Sequence, residues 1–437
     1  MLANFKSALR LLYPGLGLKR WLTLLLMGLM VFGAGIILLL RELFVGTTYP
    51  PFLQWILLQP LSPWLRALIF AVAGGGVTGY ALFQINKKTL GAFLPAQATI
   101  RELARQVYRH RRRQGGPKVV VIGGGTGLSM LLSGLKHHTD NITAIVTVAD
   151  DGGSSGKLRR ELGVLPPGDF RNCIAALADD EALTTQLFQY RFRSGGLEGH
   201  SFGNLFITAM AEVTGSFEEA LYESGRVLNI RGTILPSTLQ DVTLFAEVDE
   251  GTQTRKVQGE SAIPAAKAPI ERVYFQPDTP PAFPPAIQAI LNADLIVAGP
   301  GSLYTSIIPN LLVSELVTAI RSSRAPKIYI CNVATQPGET DGYSIHDHIQ
   351  AIETHTQVDF VSENAGGYLF NYVLANSNQN HPIPPAMSHL QPVLPTPVRD
   401  QGYQMVTADI IDAEYPWRHD GSKLANELMT WYKQLKN

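Results

Sequence analysis

The sequence has no excess charge of either sign: 36 Lys and Arg balance 36 Asp and Glu, for a formal net charge of zero. A chain without a basic balance offers no global attraction for nucleic acid, which is excluded as an expected partner. Cysteine is scarce, with two residues, Cys173 and Cys331. They are far apart and without metal-ligand spacing, which fits a reduced, cytosolic environment for the globular part. Internal repeats and low-complexity tracts are missing too, leaving only proline-dense connections at Pro277 to Pro285 and His381 to Pro385. At 437 residues the chain exceeds one average domain, and length predicts about two or three units.

Long apolar runs are present at the N-terminus. Trp21 to Leu40 carries no charge over 20 residues, enough as a helix for the roughly 30 Å of a bilayer core. A second run, Ala67 to Ile85, carries Ala71, Gly75 and Gly79 at four-residue spacing, the pattern that lets membrane helices approach closely. The two predict a transmembrane hairpin over residues 1–90. Lys6, Arg10, Lys19 and Arg20 precede the first run, and Lys87, Lys88, Arg101 and Arg105 follow the second. The loop holds only Arg41 and Arg66, which puts both ends on the cytoplasmic side of the inner membrane. A cleaved signal peptide needs a shorter apolar region and a small-residue cleavage site, which VGTTYP does not offer. Residues 91–116 read as a basic amphipathic linker helix, lying on anionic headgroups or solvated. Gln114 to Pro117 then mark the start of an α/β domain over 117–437.

That domain opens with Val119 to Ile122, a β-branched run suited to a buried strand, which ends in Gly123, Gly124 and Gly125. A helix is expected from Thr126 or Gly127, with Leu128, Leu131, Leu132 and Leu135 at helical spacing, and a strand follows from Ile142 to Val148. A strand, glycine turn and helix N-terminus bring bare backbone amides to a phosphate. The alternative is a tight turn that serves packing. The glycines fall at 123, 125 and 127, where a dinucleotide fingerprint needs one at 128, and no Lys-Ser/Thr follows as in a P-loop.

Asp150 and Asp151 leave the second strand at its carboxyl end, where ligands gather in open α/β sheets. The pair suits a magnesium ion on a diphosphate, hydrogen bonds to a sugar hydroxyl, or a solvated turn. Asp169 is placed to cap the next helix, and Arg171 suits a phosphate contact or an ion pair equally. His200 and Asn204 open another helix, His200 as a capping residue or a catalytic one, and Ser216 with Glu219 forms a capping box. Alternation from Val242 to Val257 predicts an inserted β-hairpin. Leu295 to Ala298 runs into Gly299-Pro300-Gly301-Ser302-Leu303-Tyr304, a second strand and glycine turn. Tyr304 suits stacking on a base or sugar, or packing at a helix start. His346 and His348 diverge on one helix and form no metal site. A strand near Tyr368 to Leu374 and a helix over Ser422 to Leu435 complete the reading.

GGGTGLSMLLSGLK, VTVADDGGSSGKLRRELGVLPPGDFRNCIAALA, GHSFGNLFITAM, AGPGSLYTSIIPNLLV and CNVATQPGETDGYSIHDH together resemble the bacterial gluconeogenesis factor (YvcK) family. That family is related to the CofD-like 2-phospho-L-lactate transferases. The likeness runs from Lys118 to the C-terminus and omits the membrane hairpin. It implies a Rossmann-like three-layer α/β fold that binds UDP-N-acetylglucosamine and acts in cell shape and envelope synthesis, with an envelope-synthesis protein as partner. By motif, the ligand contacts it implies are Gly123, Gly124, Gly125, Thr126, Gly127, Asp150, Asp151, Asn204, Gly301, Ser302 and Tyr304. It also implies recognition by a serine/threonine kinase at the loop near Thr340 and Ser344.

Three functions follow as expectations. A sugar-nucleotide sensor needs two shapes of different affinity and no chemistry. A magnesium-dependent transferase would hold the metal on Asp150 or Asp151, with His200 assisting proton removal. A nicotinamide-dependent oxidoreductase is disfavoured by Leu128 and by the lack of an acid separate from the Asp150-Asp151 pair. A homo-oligomer remains an open alternative to a monomer.

Overall fold

The structure, a computed structural model, describes residues 19–44, 58, 60–93, 115–178, 182–251, 253–356, 367–395 and 402–436. The chain divides into two compact units, Met1–Val107 and Tyr108–Asn437. The expected linker helix over 91–116 lies largely outside the described residues.

The first unit holds helices α1 (Lys19–Phe44) and α2 (Pro63–Phe93). Their backbones approach where side chains are absent. A Cβ on Gly74 would lie 2.6 Å from the Phe32 nitrogen, and one on Gly28 would lie 2.6 Å from Thr78 Oγ1. The expected contact face is therefore corrected: Gly75 and Gly79 have nothing within 4 Å of the Cβ position. Successive helical residues are rotated by about 100°, so a contact centred on Gly74 turns Gly75 away. One segment, Trp64–Ile85 with 22 residues, is long and apolar enough to cross a bilayer, whereas the apolar stretch of α1, Thr23–Ile37, is shorter. Leu26, Met30, Ile37, Leu68 and Val72 point outward from the pair.

The second unit begins with β1 (Val119–Gly123), α3 (Gly125–Leu135) and β2 (Ile142–Val146). Helices α4 (Gly153–Leu162), α5 (Gly168–Leu177), α6 (Ala182–Gln189), α7 (Phe202–Thr214) and α8 (Phe217–Val227) lead to β3 (Thr233–Pro236). Then come β4 (Thr243–Asp249), β5 (Thr254–Gln258), the short α9 (Ala262–Ala265), β6 (Ile270–Gln276), α10 (Pro284–Leu291) and β7 (Leu295–Ala298). A π-helical turn (Leu303–Ile307) precedes α11 (Ile308–Leu311), α12 (Ser314–Ser322), β8 (Lys327–Ile330) and α13 (Ile345–Thr356). The chain closes with β9 (Tyr372–Asn376), β10 (Gln404–Ala408) and α14 (Gly421–Lys436).

Seven strands form one parallel sheet in the order β10-β9-β8-β7-β1-β2-β3. β1 is an interior strand, between β7 and β2, and its whole length is buried, as an apolar run covered on both faces requires. The chain winds from β1 toward β3, returns, and winds from β7 toward β10. Right-handed crossovers therefore put α3 and α12 on opposite faces of the sheet. The result is a Rossmann-like α/β fold. α3 buries Leu128, Leu131, Leu132 and Leu135 completely, each contributing roughly 1.5–3 kcal/mol by leaving water.

The expected hairpin is one strand short: β4 pairs with β5 and also with β6, giving a three-stranded antiparallel sheet. The third strand, Ile270–Gln276, alternates buried and exposed residues less regularly, which hides its periodicity. The Ser216 cap is present, its Oγ accepting the Glu219 N–H at 3.3 Å.

Candidate functional site

Reversal of the winding direction between β1 and β7 leaves a crevice beyond their carboxyl ends, where open α/β sheets take ligands. Both glycine bends open into it and touch each other. A Cβ on Gly127 would stand 2.5 Å from the Pro300 carbonyl oxygen, and one on Gly301 would stand 3.5 Å from the Gly124 oxygen. Gly125 has φ +64° and Gly299 φ +81°, left-handed conformations that favour glycine. Asn310, fully buried on α11, ties the bends from below, its Nδ2 donating to Gly123 O at 3.0 Å and to Ser306 O at 2.8 Å.

The cleft above the bends measures about 540 Å³. Gly124, Gly125, Thr126, Gly127, Gly301 and Ser302 all line it, while Gly123 lies beneath as the end of β1. The far wall is the loop after β8. Asn332 Nδ2 donates to Gly301 O at 3.0 Å, and Gln336 Nε2 donates to Ser302 Oγ at 2.9 Å. A third wall comes from Trp417, Arg418 and His419, just before α14.

Tyr304 requires a correction. Its ring is 3% exposed, its hydroxyl is 2.8 Å from that of Tyr343, and it meets His355 edge-on, so it packs rather than stacks on a ligand. Burial and the Tyr343 bond push its phenol far above the ordinary tyrosine range.

Each bend meets a carboxylate of the protein itself. Asp169, in the first turn of α5, does not cap its own helix but accepts the Gly125 N–H, and its Oδ2 lies 2.6 Å from where a Gly124 Cβ would be. Burial, then the charge of Asp150, raise its pKa to about 7. Glu339 accepts the Tyr304 N–H at 3.1 Å and the Thr305 hydroxyl at 3.0 Å, and burial raises it to about 7. Glu260, from the turn after β5, is raised to about 8 by burial and by neighbouring carboxylates, Asp150 first. A carboxyl group raised in this way carries less negative charge near neutral pH than an ordinary one.

Asp150, His200 and Asn204 gather on the other side of Asp169. Asp150 accepts the Gly152 N–H at 2.9 Å and a bond from Ser155, and burial raises its pKa. Asn204 Nδ2 donates to Ser155 Oγ at 3.4 Å, and its buried Oδ1 has no partner among the described residues. His200 Nδ1 shares a 3.0 Å hydrogen bond with Ser154 Oγ. Arg171 Nη2 donates to Asn172 Oδ1 at 2.7 Å, and its charge lowers the Asp169 pKa.

Asp150 and Asp151 engage different partners. Asp151 turns toward the insertion, where its Oδ1 accepts the Ser261 N–H at 2.9 Å and the Ser261 hydroxyl at 2.8 Å. Among the described residues no group of three or more His, Cys, Asp or Glu is placed to hold a metal ion. Magnesium commonly uses one or two carboxylates plus substrate phosphates. Of the two, Asp150, with its Oδ1 beside the Gly152 N–H, is the residue that would hold a metal together with a bound diphosphate. In the loop expected to meet a kinase, Thr340 is fully buried and its hydroxyl accepts the Gln336 N–H at 2.8 Å, which removes it as an accessible acceptor.

Arg418 and His419 escaped notice as site residues because they reach the cleft from a distant segment, and Asp169 and Glu260 because only the fold brings them to their neighbouring carboxylates and, for Asp169, to the first bend. Only Asp169 carried a signal, an acid directly after the PPG turn of the second motif.

A parallel sheet with glycine bends meeting at its switch point defines a class, and comparison with known proteins agrees. The family described as 2-phospho-L-lactate transferase CofD matches residues 119–411. A relative from Nostoc sp. is 45% identical over 96% of this chain and 92% of its own length. The gluconeogenesis factor of Bacillus subtilis is 52% identical over 56% of this chain and 77% of its own. A crystal structure from Bacillus halodurans superposes with a TM-score of 0.64 at 43% identity, covering 72% of this chain and 99% of that one. The chain belongs to the gluconeogenesis factor family, within the CofD type.

Proposed function

We propose that the cleft binds a nucleoside-diphosphate sugar, UDP-N-acetylglucosamine foremost, and that the protein is a regulator of cell shape and envelope synthesis. The reading extends to a location at the inner membrane, with the globular unit in the cytoplasm near an envelope-synthesis partner. One observation carries it: the Gly127 and Pro300 backbones meet, so both bends face one crevice. A volume of about 540 Å³ lies within the roughly 300–1,000 Å³ of small-molecule sites. The α3 N-terminus supplies amides and a positive dipole for the diphosphate. Calorimetry on the full-length chain in detergent, with UDP-N-acetylglucosamine, UDP, GDP and NAD, tests it. Binding of the UDP-sugar with no NAD binding is expected, and silence toward every UDP compound refutes the reading.

A transferase of the 2-phospho-L-lactate type is the second reading, favoured by the buried Asp150 and by Asp169, which lies beside Gly124. In it Asp150 would hold magnesium with the donor diphosphate, and the metal would neutralise phosphate charge. Asn204 would orient Ser155 toward Asp150, and Asp169 would brace Gly124. Magnesium-dependent turnover of a lactyl-diphosphonucleotide, abolished in Asp150→Asn, would establish it in place of the sensor.

A further inference from the structure

The wall facing the glycine bends contains an imidazole whose hydrogen-bonding capacity is unused. His419 lines the cleft and is 7% exposed, and neither of its buried nitrogens, Nδ1 and Nε2, has a partner among the described residues. Buried polar groups in folded proteins are nearly always satisfied, and leaving one unpaired costs about 1–3 kcal/mol.

A loose backbone does not account for it, because the strap carrying His419 is pinned along its length. Ile411 and His419 form an antiparallel bridge. The Asp412 N–H donates to Arg418 O at 3.0 Å, and the Asp420 N–H donates to Ile410 O at 2.9 Å. Lys423 Nζ donates to Ile411 O at 3.1 Å. Asp420 caps α14 through the Ser422 and Lys423 N–H groups, both at 2.8 Å. α14 in turn is locked on α3, where a Cβ on Gly134 would lie 2.1 Å from Gly421 O. The same helix α3 thus sets both the first glycine bend and the position of His419.

We infer that His419 is a ligand-contacting, specificity-determining residue of the cleft, whose uncharged ring hydrogen-bonds the sugar portion of the bound nucleotide sugar. This rests on the nucleotide-sugar reading and deepens it. Burial favours the neutral ring, with its pKa lowered to about 4. A neutral imidazole is a donor at one nitrogen and an acceptor at the other, which suits a hydroxyl or an acetamide. It adds no positive charge for phosphates, which the backbone amides of the bends already serve.

The test compares full-length wild type, His419→Phe and His419→Gln by calorimetry with UDP-N-acetylglucosamine and UDP, with thermal melting as the folding control. His419→Phe is expected to weaken UDP-N-acetylglucosamine about tenfold and to leave UDP within about twofold, while His419→Gln recovers part of the loss. Unchanged affinity for the UDP-sugar in both variants overturns the inference, as does an equal loss for both ligands. If neither variant folds, hydrogen exchange on the wild type decides: slower exchange across 410–420 with the UDP-sugar than with UDP supports the contact, and equal exchange removes it. Absence of any UDP-sugar binding by wild type is a different result and refutes the nucleotide-sugar reading itself.

Discussion

The two glycine bends look alike in sequence and are built for different purposes. The first passes directly from β1 into a regular helix, and its glycines clear space for main chain and for the Asp169 carboxylate. The second leads through Pro300 into a π-helical turn, and side chains of the β8 loop, Asn332 and Gln336, brace it from outside. In one, the missing side chain is the structural element; in the other, added side chains are. Substitutions should therefore be severe and steric at the first bend, and graded at the second.

The largest effect is expected for Gly127→Ala. Its methyl would stand 2.5 Å from Pro300 O, and backbone cannot yield as a flexible side chain can. A loss of ~3 kcal/mol of stability and loss of UDP-sugar binding should appear in melting and calorimetry; a wild-type profile would mean that the bends do not meet. Next comes Asp169→Asn. The Asp169 pKa lies above its unfolded value, so the stability it contributes is complete below about pH 4 and is lost as pH rises to about 7. Asparagine has no proton to lose. The variant-minus-wild-type stability should therefore climb by on the order of 3 kcal/mol between those pH values and then level off, as read from denaturant titrations at several pH values. A difference independent of pH would show that Asp169 is ionised throughout.

Tyr304→Phe should cost about 1 kcal/mol through the lost Tyr343 bond and leave ligand affinity unchanged, which separates packing from stacking. Ser302→Ala removes the Gln336 contact at the braced bend. Calorimetry should read a weakening of about two- to fivefold, well short of the Gly127→Ala effect.

Much of the fold was legible because its signals are local. The Val119–Gly123 run, the leucine spacing of α3 and the second strand-and-glycine unit before Ser302 depend on periodicity within a dozen residues. Phase within a run of small residues is not local in this sense: Gly74, Gly75 and Gly76 are adjacent, and only contact with Phe32 and Thr78 selects Gly74. The same limit applies to the cleft. Both bends could be named from sequence, but the meeting of Gly127 with Pro300, the arrival of Asp169 and the strap carrying His419 all depend on strand order. Asp150 and Asp151, neighbours in sequence, separate because one faces Ser155 and the other is claimed by Ser261 of the insertion.

The position of β1 bears on how the chain is made. Its neighbour β2 is synthesised soon after it, but its other neighbour, β7, is not; at that edge Lys118 N–H donates to Asp294, 176 positions later. At a synthesis rate of roughly 5–20 residues per second, about ten to thirty seconds pass with one flank of an entirely apolar strand unpaired. During that interval β1 can pair only with β2, so the sheet closes around its first strand only once the second half of the winding, from β7 onward, has emerged.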